Sequence, residues 1–148
     1  MENLDSEKED DDMKTHNLFI SHSWNYSNQY INLINLLKKR TYFDFRDYSV
    51  PKDDPVHDAD SDKELKAAIK NQMSPCGVII ILAGVYASCS KWIDIEINLA
   101  KNGFIYSKPI LAVKPLGSQK ISTVVREAAD KLVGWNTESI VNGIRELN

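Results

Sequence analysis

The sequence predicts a three-layer α/β domain in which a mainly parallel sheet of about five strands lies between two layers of helices. Short apolar runs alternate with longer segments of helical periodicity along the chain, and strands separated by helices form right-handed βαβ crossovers. The run 77–83 (GVIIILA) is apolar on both faces, which is typical of a central strand covered by helices on each side. A length of 148 residues leaves little room for a second core.

The first half of the chain contains two predicted strands and two predicted helices. Residues 17–21 (NLFIS) form an apolar strand that ends in the polar cluster HSWNYSN. Apolar residues recur at three- and four-residue spacing over residues 27–40, and the basic KKR at the end suits a helix C-terminus. Residues 43–48 (FDFRDY) alternate as a strand does and open into a loop rich in Pro and Asp. The capping box of Ser61 and Glu64 then starts a helix that ends before a proline.

The second half of the chain continues this alternation. A helix predicted over residues 91–102 ends at a glycine, and residues 109–113 (PILAV) form the fourth strand. A weak helix over residues 124–131 precedes a short strand at 132–135 (LVGW), and Thr137 is expected to cap the last helix. This order predicts a flavodoxin-like fold, in which ligands bind outside the carboxyl ends of the strands where the strand order reverses.

The N-terminal segment is strongly acidic. Residues 1–12 contain seven Asp or Glu and one Lys, a net charge of −6, so the chain's −3 leaves +3 for residues 13–148. Because this segment is nearly free of apolar side chains, residues 1–14 are predicted to be a disordered tail ahead of a domain at 15–148. A solvated leader is the ordinary interpretation of such a tail, and an autoinhibitory or partner-binding arm is the alternative.

Several protein classes lack their signatures in this sequence. No GxGxxG follows a strand and no GxxxxGK[ST] is present, which argues against a Rossmann dehydrogenase and a P-loop enzyme. A response-regulator receiver needs acidic residues after the first strand, where this chain has Ser-His. Cys76 and Cys89 lack CxxC spacing and the histidines complete no zinc-like set, so no metal and no disulfide are expected. Without a signal peptide or a membrane-length apolar run, the protein is expected to be cytoplasmic.

One carboxylate lies where burial would cost free energy. In a helix, Glu96 has Trp92 at i−4, Leu99 at i+3 and Ala100 at i+4, so it falls within an apolar stripe. A buried carboxylate needs a partner or a ligand, and its pKa depends on what shares the pocket. The alternative is a slightly rotated helix, in which Glu96 reaches solvent or Lys101.

Three segments taken together resemble a TIR domain: FISHSW after the first strand, the FDFRDYSVP strand and loop, and the SKWIDIE start of the Glu96 helix. More narrowly, they resemble the TIR-like proteins of the bacterial Thoeris antiphage system, the ThsB group. The resemblance covers residue 17 to the C-terminus and implies a TIR-like domain of flavodoxin-like topology. TIR enzymes cleave NAD at the nicotinamide glycosidic bond with a Glu preceded four residues earlier by a Trp, and Trp92 and Glu96 match that spacing.

The resemblance further implies a signal-producing enzyme. TIR enzymes of Thoeris systems make a cyclic ADP-ribose isomer that activates a separate effector. The resemblance therefore implies NAD as the substrate, no other cofactor, and Glu96 as the catalytic carboxylate. Other residues near the strand ends are expected to bind substrate: Phe19, Ser21, Ser23 and Trp24 after the first strand, Arg46 and Asp47 at the second, and Tyr86, Ser88 and Trp92 around the start of the Glu96 helix.

The sequence leaves alternatives for the roles of these residues and for the function of the domain. Loop capping is an equal explanation for the residues after the first strand, and an internal ion pair is favoured over phosphate binding for Arg46 and Asp47. Besides NAD and the effector, self-association is expected, because many TIR enzymes resemble assemblies that act when clustered. No nucleic-acid or membrane partner is expected. The main alternative function is a non-catalytic TIR-like interaction module, and a flavin-binding protein is a third interpretation.

Overall fold

The computed structural model describes residues 14–21, 27–49, 59–84, 91–117 and 120–148. Strands and helices alternate through these ranges, as the sequence predicts. The elements are β1 (Thr15–Ser21), α1 (Ser27–Lys38), β2 (Asp44–Asp47), α2 (Ala59–Met73), β3 (Val78–Leu82), α3 (Lys91–Asn102), β4 (Ile110–Val113), α4 (Thr123–Ala128), β5 (Lys131–Val133) and α5 (Thr137–Leu147).

The sheet is parallel throughout, with the strand order β2-β1-β3-β4-β5. The chain winds from β1 to β2 on one side and then crosses to β3 on the other, so the strand order reverses between β1 and β3. Helices α2, α3 and α4 pack on one face of the sheet, and α1 and α5 pack on the other. The predicted three-layer fold of flavodoxin-like topology is confirmed, and the ligand-binding crevice of such a sheet lies at the carboxyl ends of β1 and β3.

Strand β3 is the centre of the sheet, as its apolar sequence predicts. All five of its residues are buried. Ile79 and Ile81 face the core beneath α2 and α3, whereas Ile80 faces the core beneath α1 and α5, because successive side chains of a strand point to opposite faces. Burial of each such side chain stabilises the fold by about 1.5–3 kcal/mol.

The same alternation in β1 decides which residues reach the functional edge. Leu18 and Ile20 belong to the core on the α1 and α5 side, whereas Phe19 belongs to the core on the α2 and α3 side. Ser21 is two residues after Phe19 and therefore lies on the same face. The last side chain of β1 is thus directed toward the layer that contains α3.

Two predicted helix caps are wrong. Helix α2 begins at Ala59, so Ser61 lies within its first turn instead of preceding it; the acidic residues around this start suit a helix N-terminus on their own. The cap of α5 is Asn136, whose side-chain oxygen accepts a hydrogen bond from the Ser139 backbone N–H at 2.8 Å. The Thr137 hydroxyl instead donates to the Leu36 carbonyl at 2.7 Å and so ties α5 to α1.

The last strand also begins earlier than its apolar residues suggest. Lys131, which the sequence assigns to the end of a helix, is the first residue of β5. The cause is Asp130, whose backbone N–H donates to the Ile110 carbonyl at 2.9 Å and whose carboxylate accepts from the Ile110 N–H at 2.8 Å. This pair of bonds holds the chain against β4 immediately after α4. In the ranges described above, no helix combines the length and apolarity that crossing a membrane requires.

Candidate functional site

Glu96 lies on the buried side of α3, as its place in an apolar stripe predicts. Only 8% of its surface is exposed, and it shares that side of the helix with the buried Ile93, Leu99 and Ala100. Lys101 is exposed. The alternative in which a rotated helix lets Glu96 reach solvent or Lys101 is therefore wrong.

Burial controls the protonation of this carboxyl group. Loss of solvent raises the pKa of Glu96 to about 7, and the hydroxyl of Ser21 lowers it by a smaller amount. Ser21 is the last residue of β1 and is 2% exposed. The carboxyl group of α3 and the hydroxyl of β1 therefore act on each other at the edge of the sheet where the strand order reverses.

Both polar groups retain unused hydrogen-bonding capacity. Within the described residues, neither Ser21 Oγ nor Glu96 Oε2 has a hydrogen-bond partner of acceptable geometry, so their mutual effect is one of proximity and not of a well-aligned bond. Leaving a buried polar atom unpaired costs about 1–3 kcal/mol. Two such atoms side by side are the arrangement expected of a site whose partners arrive with a ligand.

The aromatic residues near the site have different roles. Trp92 lies one helical turn before Glu96, is partly exposed and packs against the same core, so it can border a ligand held at the carboxylate. Phe19 is 1% exposed and belongs to the core beneath α2 and α3. Its side chain is thus part of the core among the described residues, and its predicted contact with substrate stays a prediction.

A second segment closes on the same edge of the sheet. Gly84, just after β3, forms an antiparallel bridge with Ile121, and the Ser122 N–H donates to the Ala83 carbonyl at 2.9 Å. The Ser122 side chain also caps α4 by accepting from the Val125 N–H at 3.3 Å. The chain after β4 thus folds back against the carboxyl end of β3 and forms a wall beside the site.

The second strand does not contain the expected ion pair. Asp47 accepts hydrogen bonds from the hydroxyl groups of Tyr30 and Ser49 and from the Ser49 N–H, whereas the Arg46 side chain is exposed. Adjacent residues of a strand point to opposite faces, so Arg46 and Asp47 cannot meet. Ser49 Oγ in turn accepts from the Ile20 N–H at 3.1 Å. Asp47 thereby fixes the chain after β2 against β1.

The protein-family comparison agrees with this geometry. The family model described as Thoeris protein ThsB, TIR-like domain, matches residues 19–120, which is more than half of the chain. The chain belongs to this family. The ThsB TIR-like match begins in β1 and ends beside the wall formed by Ile121, so it includes Ser21, Trp92 and Glu96. Among curated proteins, none matches the chain at a significant level.

Several predicted ligand contacts of this ThsB-family domain fall outside the described residues: Ser23, Trp24, Tyr86 and Ser88. In the described ranges no cluster of three or more His, Cys, Asp or Glu side chains is placed to hold a metal ion. Cys76 is buried and burial raises the pKa of its thiol to about 12. It is therefore a core side chain and not a nucleophile.

Two features of the ThsB-family domain are not among those predicted from the sequence. The wall at Gly84 and Ile121 joins segments that are far apart in sequence, although Ser122 ahead of a helix is a recognisable cap. The second feature is a row of lysines along α2. Its sequence signal is the spacing of Lys63, Lys66 and Lys70, which places their side chains on one face of a helix.

Proposed function

We propose that this ThsB-family domain cleaves the nicotinamide glycosidic bond of NAD and converts the remainder into a cyclic ADP-ribose-type signal in antiphage defence. The observation that supports it best is the buried Glu96, whose Oε2 has no hydrogen-bond partner among the described residues, at the sheet edge where ligands of such folds bind. Membership of the Thoeris family supports the role in defence.

The chemistry suits a site with a single carboxylate. The nicotinamide of NAD is already a cation, so it leaves with the bonding electron pair as a neutral molecule and needs no proton. The barrier comes from positive charge that develops on the ribose, and one fixed negative group beside that carbon lowers it. Glycosidases that expel an alcohol need a second carboxyl group to protonate the leaving oxygen, and this reaction does not.

The surroundings of Glu96 strengthen its effect on that charge. Ile93, Leu99 and Ala100 exclude water from its side of the helix, and a charge acts more strongly where the local polarity is low. The pKa of about 7 leaves the Glu96 carboxyl group partly protonated at neutral pH. A cationic nicotinamide riboside beside the carboxyl group favours its ionised form, so substrate binding itself prepares the reactive state.

Glu96 and Ser21 together offer contacts for a ribose. A carboxylate accepts hydrogen bonds from neighbouring sugar hydroxyls, and the Ser21 hydroxyl either donates or accepts. Both atoms that lack partners in the described residues, Ser21 Oγ and Glu96 Oε2, would be paired in this way. The energy gained on pairing them would be available to orient the ribose for cleavage.

Formation of a cyclic product adds a further requirement. A nucleophile on the adenine or on its ribose must reach the anomeric carbon before water does, so the pocket must hold the dinucleotide folded back and keep water away. The partly exposed Trp92, one helical turn before Glu96, would supply an apolar surface of the kind this step needs. We further propose that the domain self-associates for activity and that a separate effector protein senses the product.

The test is incubation of the purified protein with NAD at low and at high protein concentration, with quantification of free nicotinamide and mass spectrometry of the second product. Equal amounts of nicotinamide and a product that lacks the added water are expected. Linear ADP-ribose as the sole product would overturn the cyclisation. Absence of nicotinamide under all conditions, together with concentration-dependent binding between copies or to an adaptor, would favour the non-catalytic interaction module.

A further inference from the structure

A groove of about 340 Å³ lies between α2 and α3 on the outer surface, away from the sheet. Its lining residues are Lys63, Lys66, Ala67, Lys70, Asn98, Leu99, Asn102 and Gly103. The three lysines come from one face of α2, which they follow over about 10 Å at the helical rise per residue. The opposite wall, formed by α3, is polar but uncharged. It contains Asn98 and Asn102, whose side chains are hydrogen-bonded to each other at 2.9 Å.

Among the described residues, none forms a salt bridge with a lysine of this groove. No carboxylate lines the groove in the described part of the chain, and the ion pair formed elsewhere, between Lys131 and Glu146, is on another side of the sheet. Lys70 instead lies 5.8 Å from the centre of the Phe104 ring. Like charges at three- and four-residue spacing along a helix repel one another, so an acidic occupant would be stabilising here.

Strand β1, which follows the acidic N-terminal segment in the sequence, lies beside the chain that leaves α2. The Asn17 side chain donates to the Pro75 carbonyl at 3.1 Å, and the Gly77 N–H donates to the Asn17 carbonyl at 3.0 Å. The start of β1 is therefore fixed beside the chain that leaves the C-terminal end of α2, the helix whose last turn contains Lys70. Twelve residues extend over at most about 40 Å, which exceeds the length of the lysine row several times.

We propose that the acidic segment, residues 2–12, binds along the lysine groove of the same chain. The charges are complementary, since residues 1–12 have a net charge of −6 and the described lining of the groove contains three lysines and no carboxylate. The tether favours this occupant over an acidic segment of another copy, because a short linker gives an effective concentration in the range of about a millimolar. The contacts are solvent-exposed ion pairs, so the docking is sensitive to salt.

The experiment is zero-length carbodiimide coupling of the full-length protein, followed by mass spectrometry of the peptides joined between residues 2–12 and lysines. Such coupling links a carboxylate to an amine only when they are in contact. The matched comparison is with three exposed lysines away from the groove, Lys38, Lys39 and Lys114. At low salt we expect coupling to the groove lysines to exceed that comparison by about tenfold, equivalent to about 1.4 kcal/mol.

Two further arms make the result decisive. In a mixture of isotope-labelled and unlabelled chains, the coupled peptides should come from single chains; mixed pairs would assign the groove to a second copy and overturn the proposal. In 1 M NaCl, where the Debye length is about 3 Å, the preference should disappear. If coupling to the groove lysines still exceeded the comparison in 1 M NaCl, the excess would reflect only the short tether and would overturn the proposal. Equal coupling to all six lysines at low salt would show that the segment does not dock.

Discussion

Replacement of Glu96 by Gln should stabilise the folded protein at pH 8 and have little effect near pH 4. The folded-state pKa of Glu96 is about 7, against an ordinary value of 4.5. The folded chain therefore retains a proton that the unfolded chain releases, and the wild type loses stability as pH rises from about 4.5 to about 7. Gln does not ionise and is of nearly the same shape as Glu. The stability of the variant should therefore not fall over this pH range.

The size of the effect follows from the shift in pKa. One unit is worth 1.36 kcal/mol, so the displacement of Glu96 from 4.5 to about 7 amounts to at most about 3 kcal/mol above neutral pH. In a domain of this length, about 1 kcal/mol moves the melting temperature by roughly 2–4 °C. The Glu96→Gln variant should thus melt up to roughly 6–12 °C above the wild type at pH 8.

Melting curves followed by circular dichroism between pH 4 and pH 8 provide the assay. The control is Glu127→Gln, because Glu127 is exposed on α4 and its removal changes the net charge equally without affecting a buried group. The Glu127→Gln curve should stay parallel to that of the wild type. If the Glu96→Gln curve also stayed parallel over the whole range, Glu96 would have an ordinary pKa, and the description of the site as desolvated would be refuted.

Three further outcomes are expected. If ionised Glu96 is the reactive form, kcat/KM for nicotinamide release should rise about tenfold per pH unit below pH 7 and level off above it; a flat profile from pH 5 to pH 8 would exclude this dependence. Ile80→Asp should prevent soluble folding, because it places an unpaired charge in the central strand, whereas a soluble variant with near-native circular dichroism would contradict the packing described for β3. Deletion of residues 1–12 should leave the melting temperature nearly unchanged in 1 M NaCl, since only salt-sensitive contacts are lost; a large drop would reveal apolar docking of the segment.

The central and most apolar elements could be predicted from sequence because local patterns decide them. The run at 77–83 is apolar on both faces and the helix predicted at 91–102 has a continuous apolar stripe. The structure has the strand at Val78–Leu82, one residue shorter at each end, and the helix at Lys91–Asn102. The first two residues of β1 could not be assigned in this way. Thr15 and His16 are polar, and they are extended because they pair with Asp44 and Phe45 of the next strand.

The candidate site shows the same division between local and long-range information. The burial of Glu96 follows from its neighbours along one helix, and Ser21 follows from its place at the end of a strand. The depth of Phe19 and the wall between Gly84 and Ile121 depend on how separate elements pack, which periodicity does not reveal. The absent Arg46–Asp47 ion pair was foreseeable, since strand geometry alone directs adjacent side chains to opposite faces.

The claim that the buried carboxylate of Glu96 drives NAD cleavage is tested most directly by nicotinamide release from the folded Glu96→Gln variant. The measurement is made at pH 8 with saturating NAD, beside the wild type and Glu127→Gln. Loss of the charge that stabilises the ribosyl cation should lower the turnover by at least about 100-fold, while the control retains wild-type turnover and all three proteins show cooperative melting. Wild-type turnover by well-folded Glu96→Gln would contradict the catalytic role of this carboxylate.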